Sequence, residues 1–146
     1  MDFNNKKQYD LFSINLVNQW GDLSLSSGIS EGLITIADTS SGVGAIQISA
    51  AKFKSGVTPR IDISDLKDLL SEFSNSRNLA NPFDEKIYQT ELMIYGQSFL
   101  AERDFIRVWY ASNGTDLLLV TYVCEWEQRH NEEIPREMII ESISIP

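Results

Sequence analysis

Apolar and polar positions change period several times along this chain, and the changes mark out its elements. The densest apolar stretch, residues 105–126, reads as two long strands joined at Asn113-Gly114. Asn-Gly suits a two-residue type I′ turn, which needs positive φ at both central positions. Val108, Trp109, Tyr110 and the run from Leu117 to Val120 put apolar groups on both faces of these strands. That pattern predicts a central hairpin covered from both sides.

The rest of the chain is arranged around it. Residues 1–8 are polar and predict a frayed end. Residues 9–20 carry Leu11, Phe12, Ile14, Leu16, Val17 and Trp20 at mostly strand spacing. Serine and glycine make 21–32 a loop. A strand over 32–37, a turn over 38–42 and a strand over 44–50 follow, close enough to pair as an antiparallel hairpin. Residues 52–60, with Gly56 and Pro59, form another loop. A helix begins near Asp62: Asp62 or Ser64 can cap it, and Asp65 suits the positive end of its dipole. Ile63, Leu66, Leu69, Leu70 and Phe73 give that helix one apolar stripe, and the polar run 74–78 stops it. The segment through Pro82 and Asp84 has little pattern and predicts an exposed loop. Residues 87–95 form a strand with Tyr88, Thr90, Leu92 and Ile94 on one face; Gly96 turns it, and 97–102 lead into the hairpin. A last helix starts at Asn131 as its cap, with Glu132 and Glu133 at the dipole and Pro135 in the first turn. Its shared face holds Ile134, Met138, Ile139, Ser142 and Ile143. Many strands with two helices make an α+β chain, an antiparallel sheet packed by helices. With 146 residues and no repeat or linker, the whole of 1–146 reads as one domain, long enough to bury ~68–70% of its unfolded surface.

A resemblance adds to this order. An early strand ends in Trp20, and Gly-Val-Gly-Ala-Ile-Gln-Ile-Ser runs from Gly42 to Ser49 before a helix. A strand bearing Trp109 then pairs with Val120-Thr121-Tyr122, and the chain closes on Met138-Ile139-Ile140-Glu141-Ser142-Ile143. This arrangement resembles the PsbP-like class of small α/β/α-sandwich domains, shared with the Mog family of Ran-binding proteins. It is most similar to the small bacterial members of that class that have no assigned role. The resemblance implies helices on both faces of the sheet. It brings no shared catalytic residues, and the better-known members of the class bind proteins.

Charge narrows the range of partners. Twelve basic against twenty-one acidic residues give a net charge of −9, which repels nucleic-acid phosphates and anionic membranes and suits a basic protein. The single cysteine, Cys124, excludes an internal disulfide and sits where a buried, inert thiol is expected. No signal peptide or run of ~20 apolar residues is present, so the chain reads as cytoplasmic if residue 1 is its native start.

The candidate chemistry is thin. Ser64-Asp65-Leu66-Lys67 matches Ser-x-x-Lys, but its companion motifs are missing and capping explains Ser64. Gly42-Val43-Gly44 lacks a third glycine and precedes a strand, where a dinucleotide site needs a helix. Cys124 and His130 are the one thiol–imidazole pair, six residues apart, and one His with one Cys do not make a zinc set. Glu125, Glu127, Glu132, Glu133, Glu137 and Glu141 gather near the last helix and read as a solvated face rather than a hard-cation site. Asn113-Gly114-Thr115 matches a glycosylation acceptor, which the turn already explains. The expectation is therefore a non-catalytic protein-binding domain without metal or cofactor. A concrete form is an immunity or inhibitor protein that neutralises a basic toxin or effector, through Asp84 and Glu85 in the loop and Glu132, Glu133 and Glu137 at the last helix. The alternative is a small-molecule or weakly enzymatic pocket beside the sheet, using Tyr88, Tyr95, Tyr110 or Tyr122.

Overall fold

The computed structural model describes residues 3–24, 33–40, 42–51 and 60–146. In chain order the strands are β1 (Phe3–Gln8), β2 (Ser13–Val17), β3 (Trp20–Asp22), β4 (Leu33–Asp38), β5 (Ala45–Ala51), β6 (Phe83–Gln89), β7 (Met93–Ala101), β8 (Asp104–Ser112) and β9 (Leu117–Glu125). The helices are α1 (Ile63–Ser76) and α2 (Glu133–Glu141). Strands β3 to β9 form one antiparallel sheet in the order β3-β4-β5-β9-β8-β7-β6, while β1 and β2 make a separate ribbon. The predicted hairpin is its centre: β8 and β9 pair without a break from Asp104↔Glu125 to Ser112↔Leu117.

Period-two alternation divides the core. Phe105, Trp109 and Ala111 of β8, with Leu118, Val120 and Tyr122 of β9, face one layer and pack with Ile14, Leu16 and Val17 of β2 and Ile139 and Ile140 of α2. Val108, Tyr110 and Leu117 face the other side and pack with Leu66 and Leu70 of α1. The result is an α+β sandwich with the sheet in the middle. Helix α1 starts where the sequence places it. The Asp62 side chain accepts from the Asp65 amide while the Asp65 carboxylate accepts from the Asp62 amide, a reciprocal cap on free N-terminal donors.

Several boundaries differ from the sequence expectation, each for a specific physical reason. Residues 3–8 are not frayed but form β1, an exposed strand held by its pairing to β2 rather than by apolar residues of its own. The segment at Asp84 and Glu85 is not a loop but the start of edge strand β6; a bulge there puts Asp84 at φ 52° and hides the alternation. The strand expected over 87–95 breaks instead at 90–92, where the Thr90 hydroxyl accepts from the Leu92 amide. Gly96 turns nothing. It lies within β7 opposite Trp109, and a Cβ there would stand 2.6 Å from the indole Cδ1. The hairpin connection is a four-residue loop, not a type I′ turn, and Gly114 alone of the pair has positive φ, at 101°. The Asn113 side chain shapes it by accepting from the amides of Thr115 and Asp116. Helix α2 takes Glu132, not Asn131, as its N-cap; Ile134 is 69% exposed, and Arg136 occupies the inward position instead. The expected loop segments 25–32 and 52–59 lie outside the described residues.

Candidate functional site

Four charged side chains meet inside the molecule between the sheet and α2. Arg107 projects from β8 and donates to the Ser98 hydroxyl at 2.7 Å and to the Asp84 carbonyl at 2.9 Å. The Asp84 bulge thus has a local purpose: it aims a main-chain oxygen at a buried guanidinium. The Tyr88 hydroxyl donates to Glu137 and accepts from Arg107 and from the Trp109 indole. Glu137 lies 3.9 Å from Arg107 Nε and 3.5 Å from Arg136 Nε. The Arg136 guanidinium sits over the rings of Phe105, Trp109 and Tyr122, at 5.2 to 5.9 Å from their centroids. Glu132 accepts from the Tyr122 hydroxyl at 2.7 Å and from the Gly44 amide at 2.9 Å. Gly44 leaves room for this, since a Cβ there would collide with the Tyr122 ring.

Burial raises the Tyr88 hydroxyl to about 12, with Arg107 opposing the rise and Glu137 adding to it. Burial, then the Glu132 contact, pushes Tyr122 well above its ordinary value. These phenols remain protonated near neutrality and act as donors. The network therefore fixes α2 on the sheet, and its two arginines and two glutamates cancel.

This overturns one part of the acidic surface expected from sequence. Glu132 is 4% exposed and turned inward, and Glu137 is largely enclosed; both read as surface acids because sequence gives no sign that Tyr88 and Tyr122 need acceptors. Glu133 is exposed and lies 3.6 Å from His130. Asp84 and Glu85 are exposed, but Glu85 accepts from Tyr95, whose ring belongs to the α1 side of the sheet, while Glu137 lies on the α2 side. The five expected residues do not share one surface.

A different set does. At one end of the sheet, Glu102 and Asp104 at the β7–β8 turn meet Glu125 and Glu127 at the end of β9, around a cleft of about 680 Å³. Leu100, Arg103 and the half-buried Trp126 complete its lining. All four carboxylates are exposed, and none makes an ion pair among the described residues. Asp104 and Glu125 stand directly opposite one another across β8 and β9, a like-charge pairing that works against the sheet. Sequence could have supplied Glu125 and Glu127; Glu102 and Asp104 join them only through the nine-residue register of the hairpin. Among the described residues, no three acidic, imidazole or thiolate side chains are grouped to hold a metal ion. The cleft's charge is spread rather than focused.

The other chemical candidates fall apart in space or are already engaged. Ser64 and Lys67 are exposed on α1, and Lys67 lies over the Tyr95 ring. Cys124 is buried, and burial raises its thiol; His130 is exposed beyond the strand end. The hydroxyls of Tyr88, Tyr95 and Tyr122 are hydrogen-bonded to glutamates, and Tyr95 borders a polar cleft of about 410 Å³ beside α1. No described helix is long and apolar enough to cross a membrane.

Comparison with known proteins places the fold. The chain superimposes on the solution structure of cyanobacterial PsbP (CyanoP) from Synechocystis sp. PCC 6803 with a TM-score of 0.65 and 10% identity, over 97% of this chain and 92% of that one. It also matches a crystal structure from Bacteroides thetaiotaomicron with a TM-score of 0.57 and 16% identity, over 93% of this chain but only 45% of the other. No family model and no curated protein matches the sequence. The fold is that of PsbP, as the strand and helix order implied.

Proposed function

We propose that this is a non-catalytic protein-binding domain whose acidic sheet end receives a basic protein. The observation that carries the reading is the placement of charge. Two arginines and two glutamates cancel inside, so the net −9 of the chain lies on its outer surface. Glu102, Asp104, Glu125 and Glu127 then converge on one cleft beside an aromatic ring. Spread carboxylates suit several lysine or arginine side chains better than a single ion, and Trp126 already stacks with the Arg129 guanidinium at 4.1 Å, the kind of contact a partner's arginine could extend. Complementary charge would speed encounter, with the tryptophan and Leu100 supplying contact area. A toxin or effector neutralised in the cytoplasm is the concrete form of that partner. The test is capture from native lysate of the source cells, using wild type and a Glu102→Lys/Glu125→Lys/Glu127→Lys variant. A basic protein retained by the wild type and lost with the folded variant supports the reading; capture of the same partners by both contradicts it.

A further inference from the structure

The loop between β8 and β9 carries chemistry that partner binding does not use. Asn113-Gly114 is the one Asn-Gly pair in the chain, and Asn113 is exposed. Its Oδ1 accepts from the Thr115 amide at 3.0 Å and the Asp116 amide at 2.8 Å. The Gly114 amide donates to the Ser112 hydroxyl at 2.9 Å, and Asn113 Nδ2 donates to the Pro146 carbonyl at 3.1 Å. Apart from its chain neighbours, nothing stands within 4 Å of where a Cβ of Gly114 would be, so the loop is open on that side of the residue.

We propose that Asn113 is a site of self-modification, converting to aspartate or isoaspartate through a succinimide. The Gly114 nitrogen attacks Asn113 Cγ; the new N–C bond forms as the Cγ–Nδ2 bond breaks. The amide proton leaves through Ser112 toward the departing nitrogen, which is released as ammonia. Water then opens the ring at either carbonyl, so the net change is addition of water and loss of ammonia, with no oxidant or cofactor. Each reacting group has a partner already in place. Two amides face the oxygen that becomes negative in the tetrahedral intermediate, which is where donors lower a barrier. The Ser112 hydroxyl accepts from the nucleophile, and the loop holds nucleophile and carbonyl in one short segment. Asn75, followed by Ser76 within α1, has its following amide tied into the helix and serves as an internal control.

The product adds a carboxylate and removes the donor that holds Pro146. Pro146 ends the strap in which Ser144 bridges Ser13 and Ile143 and Ile145 are buried, so modification should loosen that strap. The experiment incubates the full chain at neutral pH beside a synthetic peptide of residues 110–117, and follows conversion by peptide-mapping mass spectrometry. The expected result is conversion of Asn113 in the folded chain at least as fast as in the peptide, with Asn75 unchanged. Ser112→Ala, confirmed folded by urea melt, should slow the folded chain several-fold and leave the peptide rate alone. Thr115→Pro, which removes one Oδ1 donor on an exposed residue, should act in the same direction if Ser112→Ala does not fold. Slower conversion in the folded chain than in the peptide would overturn the proposal, as would a folded variant that converts at the wild-type rate.

Discussion

Removing one oxygen from Tyr88 should destabilise the protein out of proportion to its size. In a Tyr88→Phe variant the phenyl ring would fill the same buried space, since Tyr88 is 3% exposed, so packing is nearly unchanged. What is lost is a junction. Arg107 keeps the Ser98 hydroxyl and the Asp84 carbonyl and suffers least. The Trp109 indole N–H, fully buried and 2.9 Å from that oxygen, is left without its acceptor, at about 1–3 kcal/mol. Glu137, the charged acceptor, loses the hydrogen bond that the Tyr88 hydroxyl donates to it, worth about 1.5–3 kcal/mol. The two losses belong to one network and are not additive, so the expected total is ~3 kcal/mol. Tyr110→Phe is the control: Tyr110 is also buried, but its hydroxyl makes no hydrogen bond among the described residues, and its loss should cost less than ~0.5 kcal/mol. Urea melts followed by tryptophan fluorescence, with equal m values, give both numbers. Equal midpoints for the two variants would mean that the Tyr88 hydroxyl is not a structural junction and that α2 is placed by its isoleucines, by Arg136 and by the Glu132 contacts without it.

Two further outcomes follow from the same core. Gly96→Ala should cost ~1–3 kcal/mol in the same melts, because a methyl 2.6 Å from a fully buried indole forces Trp109 or the β7 backbone to shift; a wild-type midpoint would contradict that packing. Stability should also fall in alkali. The folded state holds the Tyr88 proton more tightly than the unfolded chain does, so this contribution is complete below pH ~10 and is lost as pH rises toward about 12. Urea midpoints between pH 8 and 11 should decline as the buried Cys124 thiol and the buried phenols ionise, and above ~10 less steeply in Tyr88→Phe than in wild type; equal slopes above pH ~10 in the two proteins would refute the assignment.

The central hairpin was legible in the sequence because its apolar runs are long and its partner lies next to it in the chain. Helix α1 was legible because its cap and its stripe are both local: Asp62 and Asp65 bond each other, and Leu66 and Leu70 face inward as spaced. The break at 90–92 and the shape of the hairpin loop have local causes, but the other failures share one, which is that the deciding neighbour lies far away in sequence. Gly96 looks like a turn until Trp109 is set across from it. Strand β1 looks frayed until β2 supplies its hydrogen bonds. Ile134 looks inward until α2 lays Arg136 over Phe105, Trp109 and Tyr122, which turns Ile134 out. The acidic cleft follows this rule. Glu102 and Glu127 are 25 positions apart, and only the β7–β8–β9 register brings them to one end of the sheet.

The most direct test of the binding account is the rate at which the captured basic partner associates, measured at low and high salt. Replacing Glu102, Glu125 and Glu127 by lysine takes the net charge from −9 to −3 and reverses the field at the cleft. Attraction between exposed charges is screened over ~10 Å at 0.1 M ionic strength, so wild-type association should slow markedly as salt rises. The variant should associate more slowly at low salt and lose most of that salt dependence, with an unchanged urea midpoint showing that its fold is intact. Identical rates and identical salt slopes for the two proteins would contradict the claim that the acidic end of the sheet is where the partner arrives.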